Sequence, residues 1–286
     1  MKKISLNQAV QFDISRLFNG AIDVDWLVND PNIAASVARS FVFHGPAYHG
    51  VTQTDVIETG HKLIDSASFV KETVQGLVSG EANAFTLAIA GFGSGKSHMA
   101  VTLTELLETQ DVAHRATILK NLAQADASIA EHVERLLPEV EEKVLVITLN
   151  GMNNFDLASQ LLKQAKGKLQ KRHLSTDALE GVRKRFEYAA KVLSTLNCDL
   201  LPTLLDALNL SDVQEVLKKL VDYDEQTYKQ VHQFLSEIGI PLQAIGDETA
   251  KDVLTLLATN YVGEGKPFKK ILILFDEFGR YLEFAT

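Results

Sequence analysis

The sequence predicts an α/β fold: a parallel sheet carrying helices, preceded by a mixed helix-and-loop segment and interrupted by a large helical insertion. Three observations predict it. Short apolar runs at 85–90, 143–149 and 270–275 read as buried strands, because parallel strands covered on both faces are apolar throughout. The first run leads into Ala90-Gly91-Phe92-Gly93-Ser94-Gly95-Lys96-Ser97, after which Met99, Leu103, Leu106 and Leu107 recur at helical spacing. The last run ends in Asp276-Glu277.

Strand, glycine loop and helix in that order make a phosphate loop, and the expected architecture is a P-loop NTPase core with a parallel sheet. Ala90 stands where the strict pattern has Gly, a departure of one residue. Glycines let the backbone curl so that successive N–H groups converge on phosphate oxygens, and the helix adds its positive dipole end. Gly91, Phe92, Gly93, Ser94, Gly95, Lys96, Ser97 and His98 are therefore the expected nucleotide-contacting stretch. Lys96 is expected to reach the β- and γ-phosphates and Ser97 to ligate Mg²⁺. His98, in the first helical turn, is expected to pack near the loop without acting as a ligand itself. A plain Gly/Ser turn is the bland alternative. A dinucleotide fingerprint fails on spacing, since its third Gly would fall on Lys96.

At the end of the last run, Asp276 is expected to hold Mg²⁺ and Glu277 to polarise the attacking water. Lys96 and Glu277 are the expected catalytic residues, Ser97 and Asp276 the metal-linked ones, and ATP with Mg²⁺ the expected cofactors. No Asn-Lys-x-Asp guanine-reading motif and no Leu-Ser-Gly-Gly-Gln signature occurs, which argues against small GTPases and ABC transporter ATPases.

Along the chain, residues 1–80 read as the mixed segment. Asp30-Pro31 predicts a helix start, followed by Ile33, Val37 and Phe41 on one face. Residues 43–50 form a turn carrying Phe43, His44, Tyr48 and His49; His44, Tyr48 or His49 could stack on a base, and a surface turn is the plainer reading. Val56, Leu63, Ile64, Val70, Val74 and Leu77 suggest helix toward Gly80. Residues 81–155 are the first part of the core. A helix over 121–137 is predicted by Leu122, Ile129, Val133 and Leu136, stopped by Pro138. The strand at 143–149 ends at Asn150-Gly151, and Asn153 and Asn154 follow as a turn or cap.

Residues 156–265 read as the helical insertion, with no strand pattern. Val213, Val216, Leu217 and Leu220 follow a Ser211-x-x-Gln214 capping box. Tyr228, Val231, Leu235 and Ile238 end at Gly239 and Pro241; Val253, Leu254, Leu257 and Tyr261 end at Gly263. Residues 266–286 resume the core.

Composition sets outer bounds. With 46% hydrophobic residues the chain can bury a sizeable core. The single cysteine, Cys198, excludes an internal disulfide and suits a reducing cytoplasm. Ser5, Asn7, Gln8, Gln11 and Asp13 break any signal-peptide core after Met1-Lys2-Lys3, and no run is long enough to span a bilayer, so no membrane is expected. Net charge is −9, but Lys163 to Lys191 holds nine basic and three acidic residues, a local +6 that leaves −15 for the rest. A solvated helical face and a nucleic-acid or partner contact both explain such a segment.

The two motifs resemble the additional-strand, catalytic-glutamate (ASCE) division of P-loop ATPases, which includes AAA+ proteins. Within it, Ala-Gly-Phe-Gly-Ser-Gly-Lys-Ser-His and Leu-Phe-Asp-Glu-Phe-Gly-Arg-Tyr-Leu-Glu are similar to the motifs of large bacterial phage-defence ATPases of the BREX and Pgl type. That resemblance implies an ATPase module of a larger protein working with methyltransferase or nuclease partners on DNA. It leaves self-association and direct DNA contact open, and the acidic net charge does not favour the latter. In this division a later strand lies between the loop strand and the Asp-Glu strand. Only nine residues follow Glu277, so the chain is expected to be the N-terminal part of a longer protein, unless the N-terminal region fills that position.

Overall fold

The computed structural model describes residues 21–47, 63–80, 85–91, 93–141, 143–153, 155–180, 182, 184–196, 200–208, 210, 212–240, 242 and 248–285. Tyr48, His49, Val56, Phe92, Asn154, Arg183, Cys198, Ser211 and Pro241 lie outside them. Of the described residues 64% are helical, and the one sheet among them is parallel and two-stranded.

This corrects the expected P-loop NTPase core with a parallel sheet. Two of the three apolar runs become strands, β1 (Val144–Asn150) and β2 (Lys270–Asp276), and they pair with each other. The run at 85–90 forms no strand, and Phe85, Leu87 and Ile89 are 69%, 56% and 74% exposed. The physical reason is pairing. An apolar run becomes a strand only where a neighbour takes up its N–H and C=O groups and its faces are covered, and neither condition is met among the described residues around 85–90.

The chain gathers into two compact units. The first is Met1–Asn150 with Leu272–Phe278. It contains α1 (Trp26–Asn29), α2 (Pro31–Ser40), α3 (Ser66–Ser79), α4 (Lys96–Glu108), α5 (Val112–Ala125) and α6 (Ala127–Val140). Asp30 caps α2 as its sequence requires: the carboxylate accepts from the Ile33 N–H at 3.2 Å, with Pro31 at the first helical position. Val37 and Phe41 are buried, but Ile33 is 40% exposed, so the predicted face was one residue too wide. The single helix expected over 121–137 is the end of α5 and most of α6. Asp126 breaks them apart, its carboxylate accepting from the Ile129 N–H at 2.9 Å to start the second helix. Pro138 sits inside the last turn of α6, which ends at Val140.

The core of this unit is built by α3 on α6, α2 on α4, α5 on α6, and α4 on β1. Val70, Val74, Leu103, Leu106, Leu107, Ile118, Leu122, Val133 and Leu137 fill it, with Leu272 and Leu274 of β2 packed against it. Asn150 closes β1, its amide donating to Asp23 at 3.0 Å and Asp25 at 3.1 Å. Burial pushes the Asp25 carboxyl up from its ordinary value, and Asp23 adds to this.

The second unit is Gly151–Ile271 with Gly279–Thr286. It holds α7 (Leu157–Lys171), a 3₁₀ turn (Asp177–Leu179), α8 (Lys184–Ser194), α9 (Leu201–Leu208), α10 (Val213–Val221), α11 (Glu225–Glu237), α12 (Ala250–Tyr261) and most of α13 (Phe278–Ala285). Between 156 and 263 the described residues carry no strand; an isolated bridge joins Val262 to Phe268. The N-cap of α10 is Asp212, which accepts from the Gln214 N–H at 3.0 Å, one residue after the expected Ser211. Gly239, at φ +82°, ends α11 where the sequence placed its stop. Phe186, Leu204, Val216, Leu220, Val231 and Leu235 form this unit's core. No described helix is long and apolar enough to cross a membrane.

Candidate functional site

The glycine loop is held from its helix side. Helix α4 begins at Lys96, directly after Gly95 at φ +87° and two residues after Gly93 at φ +76°. Those backbones are in the left-handed region, where a side chain is strained, so glycine is favoured at both positions. The Ser94 N–H donates to the Gly91 carbonyl at 3.3 Å and the Met99 N–H to the Gly95 carbonyl at 2.8 Å, which closes the turn onto the helix.

Gly91 is different. Its φ lies outside the left-handed region, and a Cβ added there would meet no described atom within 4 Å. Neither strain nor packing by the chain itself calls for glycine at this position.

The start of α4 is also unlike its neighbours. Asp30, Asp65, Asp111, Asp126, Asp156, Asp212, Asp224 and Thr249 each cap the helix that follows them with a side-chain oxygen. Gly95 supplies no side-chain cap, and the first turn of α4 holds no acidic residue. The N–H groups there remain available to an anion.

Lys96 is half-buried and folds back over the loop, its Nζ donating to the carbonyls of Ala90 at 3.0 Å and Gly91 at 3.1 Å. Ser97 is half-buried in the same turn, with no side-chain hydrogen bond among the described residues. His98 points the other way. Its Nε2–H donates to the Val37 carbonyl at 2.7 Å, and its ring meets Phe41 edge-on at 4.8 Å. Burial holds its pKa below the ordinary histidine value. His98 thus pins α4 to α2, the packing role expected for it.

Behind the loop lies a polar network that spacing in the sequence does not announce. Arg39 of α2 donates to Nδ1 of the buried His114 at 3.4 Å, and His114 Nε2 lies 2.9 Å from the Glu105 carboxylate of α4. Arginine has only donors, so Nδ1 accepts and the proton sits on Nε2, donated to Glu105. Asn121 of α5 donates to the Arg39 carbonyl at 2.7 Å. Together these tie α4 to both helices beside it.

The acidic corner is a sharp turn between β2 and α13. Asp276 and Glu277 are half-buried, and the Glu277 N–H donates to Asp276 Oδ1 at 3.1 Å. Glu277 has φ +51°, a left-handed backbone that costs a non-glycine residue free energy. Phe278 follows, its ring 5.1 Å from Phe275 and 6.4 Å from Phe85. Among the described residues no hydrogen bond or ion pair joins Lys96 or Ser97 to Asp276 or Glu277. A strand laid parallel beside β2 would bring Ala90 to the Asp276 end. In the structure it is Phe85, at the start of the run, that lies beside this corner.

No described group of three or more His, Cys, Asp or Glu could hold a metal ion. Ser97 and Asp276 would not form such a group, since Mg²⁺ keeps waters and takes phosphate oxygens beside one or two protein ligands. A serine hydroxyl and an aspartate carboxylate are ligand types that Mg²⁺ takes beside a nucleotide, and no described contact joins Ser97 to Asp276.

The basic stretch from Lys163 to Lys191 is largely committed within its own unit. Lys163 lies 3.6 Å from Asp222 and Lys166 donates to the Tyr223 hydroxyl at 2.6 Å. Arg172 stacks over Phe268, and Lys168 is buried. Arg185 pairs with Glu225 at 2.6 Å while lying over Tyr228. These side chains staple helices together, a role that neither the solvated face nor the polyanion contact expected of the stretch describes.

No protein-family model, curated protein or solved structure matches the chain.

Proposed function

We propose that Gly91–Ser97 binds the polyphosphate of ATP together with Mg²⁺, and that Glu277 orients the water that hydrolyses it. The observation that carries this reading is a single loop: two left-handed glycines, a third glycine that the chain's own packing does not require, and a helix start without a side-chain cap. Backbone N–H groups of a helix first turn that no side chain caps suit an oxyanion.

Lys96 has a defined part. Its ammonium now bonds two neutral carbonyls. On nucleotide binding it exchanges them for phosphate oxygens, and a hydrogen bond between two charged groups is about twice as strong as one to a neutral acceptor. Ser97 and Asp276 would hold Mg²⁺, which when bound neutralises charge on the β- and γ-phosphates. Glu277, placed at the turn after β2, would accept a proton from water or align it.

The test is a titration of labelled ATP with Mg²⁺ against the wild-type chain and Lys96→Ala. Loss of the charge-assisted contact should weaken binding about ten- to a hundredfold. Equal affinities would sink the assignment.

Binding without turnover, in a nucleotide-dependent assembly or signalling module, is the second reading. The Phe85–Phe278 contact favours it, because the acidic corner has the start of the apolar run beside it and not the loop end. Turnover by the full-length protein with and without DNA separates the two. The motif resemblance to phage-defence ATPases supports a cytoplasmic protein acting with DNA-directed partners.

A further inference from the structure

We propose that His98 is a positioning residue for the phosphate loop, a role that rests on the nucleotide reading. Its bond to α2 holds the first turn of α4 as a side-chain cap would, and so sets the affinity for polyphosphate.

A helix frays from its ends, because its first four N–H groups have no partner within the helix. A capping side chain steadies the first turn by accepting from one or two of them. Asp30 does this for α2 through the Ile33 N–H, and Asp111 for α5 through the N–H groups of Ala113 and His114. Gly95 has no side chain to do so at the start of α4. A cap there would also occupy N–H groups that the proposed site offers to phosphate. A hold that leaves those groups to the ligand has to act from the side of the helix.

His98, the third residue of α4, supplies such a hold. Its Nε2–H reaches the Val37 carbonyl at 2.7 Å, and the buried Val37 side chain packs in one cluster with Val101, three residues further along α4. The Phe41 ring meets His98 edge-on at 4.8 Å and Phe43 edge-on at 4.7 Å, and both phenylalanines are buried. The same Phe41 ring lies 3.8 Å from where a Cβ on Gly95 would stand. The last glycine of the loop and His98 therefore rest on one surface, formed by the end of α2 and the residue after it. Successive helical residues are about 100° apart, so fixing His98 toward α2 also fixes the directions of Lys96 and Ser97.

The ring acts on phosphate by geometry and not by charge. Burial holds His98 below the ordinary histidine value, so at neutral pH it is uncharged. A neutral substitution at this position leaves the charge of the proposed site as it was.

Two measurements on the full chain test this: hydrogen exchange at the Met99 amide without nucleotide, and titration of labelled ATP with Mg²⁺. The Met99 N–H bonds the Gly95 carbonyl and so reports closure of the first turn. His98→Ala should speed that exchange and weaken ATP binding about tenfold each, the equivalent of one lost hydrogen bond. His98→Gln puts an amide N–H near the position of Nε2 and should recover most of both. Val133→Ala, at a fully buried site in α6, should lower stability yet leave ATP affinity within about twofold. Unchanged exchange or unchanged affinity in His98→Ala, with Lys96→Ala still weakening binding, would overturn the proposal and leave the nucleotide reading standing. Lys96→Ala binding as the wild type does would overturn both. No recovery in His98→Gln, or an equal loss of affinity in Val133→Ala, would mean a general loosening of the fold and would overturn the proposal alone.

Discussion

The runs at 85–90 and 270–276 are alike in length and apolar content and unlike in their surroundings. β2 has β1 along one side, and Leu272 and Leu274 lie on the core of its unit. Residues 85–90 are exposed throughout and belong to no strand. Yet each run leads into a turn with left-handed backbone: Gly93 and Gly95 in one, Glu277 in the other. The difference teaches where each turn gets its support. The acidic corner is set by the strand before it. The glycine loop is set by the helix after it, through Leu103, Leu106 and Leu107, the His98–Val37 bond and the Arg39–His114–Glu105 network.

Substitutions can break or sharpen that contrast. The largest effect belongs to the strand-held turn. Glu277→Gln in the full-length protein should keep ATP bound and slow turnover about 10²–10⁴-fold, the usual loss for a missing general base. Turnover at the wild-type rate would remove Glu277 from the chemistry.

Next comes the helix-held turn. Leu106→Ala empties a fully buried site in α4 and should cost about 2–5 kcal/mol in denaturant unfolding. Leu87→Ser, in the exposed run, should fall within about 0.5 kcal/mol. Comparable losses at both sites would mean that the run before the loop supports it after all.

The smallest effect concerns strain. Glu277→Gly relieves the left-handed backbone but gives the unfolded chain more freedom, for a net gain of a few tenths to about 1 kcal/mol in stability, read by the unfolding midpoint. Lower stability would mean that the Glu277 side chain is itself a structural contact.

Periodicity made most of the helices legible. The stripes of α4, α11 and α12 and the cap at Asp30 were readable because those signals are local. The break at Asp126 was missed because two helices sharing one capping aspartate keep an unbroken apolar rhythm across the joint. The sheet was over-read because an apolar run records that a segment avoids water and says nothing about a neighbour to pair with. At the candidate site, the glycines and Lys96 announce themselves in sequence. The Arg39–His114–Glu105 network joins residues brought together only by packing, and single-sequence spacing carries no trace of it.

The central claim is that Gly93–Ser97, held by α4, is where phosphate binds. Hydrogen exchange at those backbone amides, with and without saturating Mg²⁺ and ATP, tests it most directly. Nucleotide should slow exchange from Gly93 through the first turn of α4, while the exposed residues at 85–90 keep their rates. Unchanged exchange at Gly93–Ser97 under saturating nucleotide would contradict it.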